Sequence, residues 1–331
     1  MRFIFLIPDL RQEKSWSLLE KAIHRFPGDG IANWALRRWL YVNEVHGGTM
    51  NIMRHCWVAR SCGAEAVLAT MSGKDSYGDV FGLQRHLPVI PWQDRRPEDI
   101  CIVPDFVSQL IEDVQGVAIA YQQSPLQIKN DFDYRRNSVI LWTDSPLMQT
   151  VCRQAYPGKQ SIIVPNIVDS DLFSFIPQAQ REQGLLFAFP RKGPDFIKET
   201  QAAYQQQGGQ FWHFELIDGL PLKALVQEFR RPQAFLASAV YEGCALPPQE
   251  AMAAGIVVVG KTARGANFCM KNGKTALTGE TPIEVAQCLI ALENAERREQ
   301  LTKNAYTYIQ RYFPENEPTQ FWRKTLECWI K

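Results

Sequence analysis

The chain has 331 residues, of which 46% are hydrophobic and 21% are charged. Both fractions are typical of globular proteins and exclude an intrinsically disordered chain. Lysine and arginine number 36 against 35 acidic residues, so the net charge of +1 lacks the basic excess expected of a nucleic-acid-binding protein. Because one hydrophobic core rarely grows beyond about 250–300 residues, the length predicts two domains.

Neither the first residues nor the cysteines indicate secretion or a membrane span. The apolar run at 3–7 ends at Pro8 and Asp9, so it is too short for a signal peptide and predicts a buried strand. No window approaches the ~18–20 apolar residues of a transmembrane helix. The eight cysteines show neither a C-x-x-C pair nor zinc spacing, so we expect reduced, apolar residues. A cytoplasmic protein is predicted, and peripheral contact with the inner membrane surface stays open.

Short apolar runs alternate with amphipathic helical segments in both halves, which is typical of βαβ units with parallel sheets. The predicted strands are 2–7, 65–70, 99–103, 116–121, 138–143, 161–164, 184–189, 210–217, 233–238 and 255–259. The predicted helices are 15–26, 51–60, 195–206, 221–230, 247–254, 282–293, 295–312 and 318–330. The polar segment 169–184 is the predicted linker between the halves.

The most informative segment is AVYEGCALPPQEAMAAG at 239–255. It predicts a strand end, a loop of small residues, and a helix that begins near Pro247 and ends at Gly255. The amides and dipole of such a helix start bind anions, and the small residues at 243–245 let a ligand approach the backbone. Glu242 and Glu250 flank this site, as suits a sugar nucleotide with phosphates at the amides and hydroxyls at the carboxylates. Taken singly, either glutamate is more often a solvated loop residue or a first-turn acid.

Together, Glu242 and Glu250 have the Glu-x7-Glu spacing within a segment that resembles the signature of the group 1 glycosyltransferases. The resemblance implies an α/β protein of the GT-B fold, with two Rossmann-like, doubly wound parallel-sheet domains and an interdomain cleft. It is strong over about 184–313 and faint but ordered over 1–170. The implied division is an acceptor-side domain at 1–168, a nucleotide-sugar-binding domain at 169–313, and a C-terminal helix at 314–331 that crosses back to the first domain.

Other positions fall where the family places its ligand-binding residues. Val164–Asp169 resembles the family's Pro-Asn-Gly-Val-Asp segment, and Pro190–Gly193 resembles the turn whose cations hold the diphosphate. Because the spacing of that turn is contracted, Lys192 is the safer assignment there. The resemblance implies that Glu242 and Lys192 are catalytic. It implies donor-binding roles for Arg191, Lys192, Gly243, Ala245, Leu246, Glu250, Gly47 and Gly48.

The sequence also departs from the family pattern. Residues 11–46 form an insertion that serves either acceptor recognition or packing, and Cys244-Ala245 replaces an aromatic-Gly pair. A Gln-Gln pair at 122–123 stands where the family often has a histidine. The loop 261–267 lacks the usual Gly-Gly and acid, so Arg264 or Asn267 is a candidate for changing which donor fits.

The resemblance implies transfer of a hexosyl-type group from a nucleotide-sugar donor to a hydroxyl of a glycan, lipid or small-molecule acceptor, with retention of configuration. We expect no cofactor and no metal requirement, because cations and a helix dipole would stabilise the leaving diphosphate. The Asp-x-Asp spacing at 131–133 lies in a polar, loop-like stretch and does not indicate a metal site. No nucleic-acid partner is expected. The alternatives are a nucleotide-sugar epimerase and a non-catalytic, nucleotide-sugar-binding protein of the same fold.

Overall fold

The computed structural model describes residues 1–10, 41–42, 47–74, 86–128, 134 and 138–330. The predicted helix at 15–26, the residues 131–133 and nearly all of the insertion at 11–46 lie outside these ranges. The described residues form two compact units, the first from Met1–Gln122, Lys129–Trp142 and Gly158–Gln160, and the second from Gln123–Ile128, Thr143–Pro157 and Ser161–Lys331. The division at residue 168 and the return of the last helix to the first domain stay predictions.

Strands alternate with α-helices between residues 182 and 260, as the sequence predicts, whereas the described residues between 65 and 143 contain strands but no α-helix. The strands of the described residues are β1 (Arg2–Leu6), β2 (Asp9–Leu10), β3 (Tyr41–Val42), β4 (Glu65–Thr70), β5 (Val89–Pro91), β6 (Ile100–Pro104), β7 (Val117–Gln122), β8 (Val139–Thr143), β9 (Ser161–Ile163), β10 (Glu182–Ala188), β11 (His213–Leu216), β12 (Pro232–Ala237), β13 (Val257–Gly260) and β14 (Ala276–Thr278). The helices there are α1 (Gly47–Ser61), α2 (Pro146–Ala155), α3 (Pro194–Gln206), α4 (Leu222–Glu228), α5 (Leu246–Ala254), α6 (Pro282–Ala291), α7 (Ala295–Ile309) and α8 (Glu317–Ile330).

The larger sheet has the strand order β5-β4-β1-β6-β7-β8-β9. Its strands from β5 to β7 pair in parallel, with β1 between β4 and β6. All five residues of β1 are buried, as expected of a strand covered on both faces. The chain therefore winds outward from β1 in both directions, which is the doubly wound arrangement that the sequence predicts.

The smaller sheet has the order β11-β10-β12-β13-β14, and every neighbouring pair is parallel. Buried apolar residues of β10, β12 and β13, such as Leu186, Leu236 and Val259, form its core with α3, α6 and α7. The chain order reverses between β10 and β12. In open α/β sheets, ligands bind beyond the carboxyl ends of the strands at such a reversal.

The predicted element bounds differ from the observed ones mainly at the ends. Helix α1 begins four residues before the predicted start at 51, and the predicted strand at 210–217 contracts to His213–Leu216. The strands β5 and β14 were not predicted, because β5 lies between Pro88 and its own Pro91 and β14 has only two apolar residues, whereas the equally short β9 belongs to an Ile-Ile-Val run. None of the helices in the described ranges combines the length and the apolar character that crossing a bilayer requires.

The segment predicted as a linker, 169–184, packs into the second unit. Phe173 is buried, and its ring lies 5.5 Å from that of Phe229. The carboxylate of Asp169 accepts backbone N–H groups of Asp171 and Leu172, at 3.2 and 3.3 Å, and so turns the chain. Buried polar residues of the segment, such as Asp169 and Arg181, bond to backbone, whereas others, such as Asp171 and Gln180, are exposed to solvent.

A buried arginine joins this segment to the end of α5. Arg181 Nη1 donates to the carbonyls of Phe229 and Pro232 at 3.0 Å each. Its Nε donates to the carbonyl of Ile176 at 3.2 Å, and its Nη2 donates to the carbonyl of Ala254. Burial lowers the pKa of the guanidinium to about 10, because it disfavours the charged form. Arg181 thus satisfies carbonyls of several different segments at once.

We expect Arg181→Ala to lower the free energy of unfolding by about 3 kcal/mol, because it leaves buried carbonyls without donors. Urea unfolding at neutral pH measures this change. The control is Arg230→Ala, since Arg230 is exposed and its substitution should change the free energy by less than about 0.5 kcal/mol. Equal stabilities of the two variants would contradict the bonding role of Arg181.

Candidate functional site

Three loops meet at the carboxyl edge of the smaller sheet. They follow β10, β12 and β13, and span residues 189–193, 238–245 and 261–267. Because β10 pairs in parallel with β12, and β12 with β13, the three strands end at the same edge. These loops bring together residues that the sequence analysis assigned from separate motifs.

Lys192 and Glu242 form an ion pair across two of these loops, with Lys192 Nζ donating to Glu242 Oε1. The Lys192 side chain is 48% exposed and the Glu242 side chain 15%. Gly193 follows with φ of 153°, and a Cβ there would lie 2.5 Å from the carbonyl oxygen of Ser238. Only glycine therefore allows the turn that places Lys192 beside the loop after β12.

The backbone of Gly243 is packed against neighbouring chain. Its carbonyl accepts a hydrogen bond of 2.7 Å from Ser145 Oγ, which itself accepts from the N–H of Met148 at the start of α2. A Cβ at Gly243 would lie 1.8 Å from the carbonyl oxygen of Gln123. The small residue that the sequence analysis interpreted as room for a ligand is thus needed for a backbone contact within the protein.

Cys244 is held by two side-chain amides. Its Sγ accepts from Asn166 Nδ2 at 3.0 Å and from Gln249 Nε2 at 3.2 Å, and Gln249 Nε2 also donates to the Ala245 carbonyl at 2.9 Å. Burial, together with the charge of Asp144, raises the pKa of the Cys244 thiol. The thiol therefore stays protonated and packs as a small residue. All eight cysteines are unpaired.

The start of α5 offers fewer amide donors than most helix starts. Ala245 precedes the helix without a side-chain cap, and Leu246 is its first residue. Pro247 and Pro248 follow and have no N–H, so Leu246 and Gln249 supply the remaining donors of the first turn. The predicted anion site thus depends on nearby cations more than the sequence analysis anticipated.

The loop after β13 contains two non-glycine residues in the left-handed region, Ala263 with φ of 49° and Arg264 with φ of 58°. Each costs about 1–2 kcal/mol because Cβ approaches the following carbonyl. Hydrogen bonds hold the conformation: the Asn267 N–H donates to the Thr262 carbonyl at 3.0 Å, and Asn267 Nδ2 donates to the Lys261 carbonyl at 3.1 Å. Such strain is typical of functional loops that the surrounding structure holds in place.

Two cations of the loop after β13 lie over aromatic rings, one in the loop after β12 and one in the first turn of α3. The Arg264 guanidinium carbon is 5.1 Å from the centre of the Tyr241 ring, and Tyr241 immediately precedes Glu242. Lys261 Nζ is 4.6 Å from the centre of the Phe196 ring, in the first turn of α3. Cation–π contacts thus join the third loop to the loop that carries Glu242 and to the first turn of α3.

A family model supports the interpretation of this edge. Residues 198–308 match the model of the glycosyl transferases, group 1. The resemblance to the group 1 glycosyltransferases is confirmed. The matched residues include Glu242, Glu250 and Arg264, whereas Lys192 lies just before them. No curated protein sequence matches the chain.

Solved glycosyltransferase structures have a similar fold. Sucrose-phosphate synthase of Thermosynechococcus elongatus is 14% identical, with a TM-score of 0.63 over 86% of this chain and 94% of that one. Anabaena HepE in complex with UDP-glucose is 13% identical, with a TM-score of 0.62 over 99% and 100% of the two chains. The pneumococcal O-GlcNAc transferase GtfA, in complex with UDP and GlcNAc, is 14% identical, with a TM-score of 0.53 over 72% of this chain. The chain spans 58% of the length of GtfA. These similarities confirm the predicted GT-B fold class.

The remaining predicted residues lie on different elements. Glu250, in the second turn of α5, is buried and makes contacts inside the protein. Arg191 is exposed in the 3₁₀ turn that ends at Lys192. Gly47 and Gly48 are the first residues of α1 in the first unit, and α1 begins four residues before the predicted helix start. The roles assigned to all of these residues stay predictions.

Sequence reasoning missed the residues that hold the loop 238–245 in place. Ser145 is 98 positions from its partner Gly243, and no local pattern indicates that contact. Tyr241 lies inside the quoted motif, but its ring contact with Arg264 depends on the left-handed loop after β13. Two consecutive non-glycine residues before Gly265 give no sequence signal of a left-handed conformation.

We expect Arg264→Gly to be more stable than Arg264→Ala by about 1 kcal/mol, because glycine adopts the left-handed conformation without the Cβ clash. Urea unfolding of the two variants measures the difference. The same pair of substitutions at Lys303, an exposed residue of α7, should reverse the order, since alanine is the better helix former. The same order at both positions would contradict the strained backbone at Arg264.

Proposed function

We propose that this chain is a retaining glycosyltransferase that transfers a hexosyl group from a nucleotide sugar to an acceptor hydroxyl. The observation that carries the proposal is the contact between Lys192 and Glu242 where the strand order reverses, with Glu242 inside the matched family segment. The names of the similar structures support a nucleotide-sugar donor, because HepE is described with UDP-glucose and GtfA with UDP and GlcNAc.

The roles of Lys192 and Glu242 follow from the charges that develop during transfer. The bond between the anomeric carbon and the diphosphate oxygen breaks, which places negative charge on the diphosphate and positive charge on the sugar. Lys192 would stabilise the diphosphate, and Glu242 would hold a sugar hydroxyl and oppose the charge at the anomeric carbon. The acceptor oxygen then bonds to the same face of that carbon, and its proton passes to the leaving phosphate. Configuration is thereby retained.

The other predicted residues complete the donor site in this proposal. Glu250 would bind the ribose hydroxyls, and the backbone of Gly243, Ala245 and Leu246 would face the phosphates. Arg191 would add a second cation, and Gly47 and Gly48 would also bind the donor. Cations of the chain perform the electrostatic work, so no metal ion or other cofactor is needed. The acceptor is a glycan, a lipid or a small molecule.

Location and partners also remain proposals. The enzyme is proposed to be cytoplasmic and to contact the inner membrane surface peripherally. The near-neutral charge supports the absence of a nucleic-acid partner. An acceptor at the membrane surface would give such contact a purpose.

The test of the reaction is release of free nucleotide from a panel of nucleotide sugars, with and without candidate acceptors. We expect Glu242→Gln and Lys192→Met each to lower kcat/KM about 100-fold, because each removes transition-state stabilisation. Lys198→Met and Glu199→Gln, at exposed positions of α3, are matched controls that should keep the activity. Interconversion of the sugar alone, or binding without turnover, would contradict transfer. Unchanged turnover of both site variants would contradict the assigned roles.

Stereochemistry and metal dependence are tested on the same reaction. We expect an α-linked donor to give an α-linked product, which the anomeric proton coupling in the NMR spectrum reports. Addition of EDTA should leave the rate unchanged, because the proposed charge stabilisation comes from side chains. A β-linked product would contradict retention. Loss of activity on addition of EDTA, followed by recovery on addition of Mg²⁺, would contradict the proposed metal independence.

A further inference from the structure

The cations at the carboxyl edge of the smaller sheet differ in whether an acid of the protein already pairs with them. Lys192 is paired with Glu242. The start of α5 contributes few amides, because Pro247 and Pro248 have none. A nucleoside diphosphate carries several negative charges, so a site built on Lys192, Arg191 and this helix start gains from a further cation.

Arg264 and Lys261 are cations of this edge that form no ion pair with an acid of the described residues. The Arg264 side chain is exposed. Lys261, the other cation of the same loop, has its ammonium over Phe196 on α3, whereas the Arg264 guanidinium lies over the ring that adjoins Glu242. The position of Arg264 is therefore tied to the loop of the proposed active site.

The backbone fixes this position at a cost. Arg264 and Ala263 both have positive φ, although Gly265 follows directly and also has positive φ, at 96°. A glycine at 264 would give the same turn without the steric penalty. An arginine at a strained position, stacked on Tyr241, indicates that the guanidinium itself has a use there.

We propose that Arg264 is a substrate-binding and specificity-determining residue that binds an anionic group of the donor, with Tyr241 positioning its guanidinium. The anionic group is a phosphate of the diphosphate or a carboxylate on the transferred sugar. A planar guanidinium offers paired donors to either group, and it stacks on an aromatic ring without losing them. This inference rests on the proposed function, because it assumes a nucleotide-sugar donor at this edge.

The experiment is calorimetric titration with UDP, followed by kinetics with UDP-glucose and UDP-glucuronic acid. The variants are Arg264→Gln, Arg264→Lys and Tyr241→Leu. The control is Lys271→Gln, which removes a lysine whose ammonium lies 4.3 Å from the centre of the Tyr308 ring, before the amino end of β14. We expect Arg264→Gln to weaken binding of the anionic group about tenfold, Arg264→Lys and Tyr241→Leu to weaken it less, and Lys271→Gln to leave it unchanged.

Two results support the inference and identify the anionic group. Weaker binding of UDP itself indicates the phosphate. Unchanged UDP binding with a loss of kcat/KM for UDP-glucuronic acid, but not for UDP-glucose, indicates the sugar carboxylate.

The contrary results are separable. If the wild-type protein binds UDP and turns over either donor, and Arg264→Gln changes neither binding nor either rate, this inference is wrong and the proposed function stands. An equal loss in Lys271→Gln would show a general charge effect and would also overturn it. If the wild-type protein neither binds UDP nor turns over any nucleotide sugar, the proposed function itself is contradicted.

Discussion

Parallel pairing of β10 with β12 is the constraint on which the candidate site depends. These strands are neighbours in the sheet although β11 lies between them in sequence. β11 is added beside β10 on one side, and β13 is added beside β12 on the other side. Strands β10 and β12 end at the same edge, and the loops that follow them are close enough for Lys192 to pair with Glu242. The cation and the carboxylate are 50 positions apart in sequence, and only this register places them in contact.

Hydrogen bonds then hold the loop that follows Glu242 in place. Ser145 holds the carbonyl of Gly243, and two side-chain amides converge on Cys244. At the far end of α5, Arg181 donates to the carbonyl of Ala254, and Gly255 adopts φ of 85° to end the helix. Helix α5, which contains Glu250 of the Glu-x7-Glu segment, is thus held at both of its ends. Movement of Glu242 relative to Lys192 would break several of these contacts together.

The fold class and the main motif could be predicted because they depend on local patterns. Buried strands such as Arg2–Leu6 and Val257–Gly260 are continuous apolar runs, and the helix ending at Gly255 follows from its proline start and glycine end. Strand β5 is bounded by prolines and β14 has only two apolar residues, so neither was predicted, although the equally short β9 was. The reason for Gly243 was also missed, because its Cα lies against a carbonyl 120 positions earlier, and such contacts leave no trace in neighbouring residues. The left-handed turn at Ala263 and Arg264 runs against residue preference and depends on the surrounding hydrogen bonds.

The two prolines at the start of α5 have a further consequence for the entropy of ligand binding. Each ring fixes φ near −65°, so the junction between the loop and the helix has few alternative conformations even before any ligand arrives. A flexible loop loses conformational freedom when it closes around a substrate, and that loss is subtracted from the affinity. At this junction the conformational freedom is already lost before any ligand binds. Residues 246–248 would therefore need no further ordering when a donor binds at the proposed site.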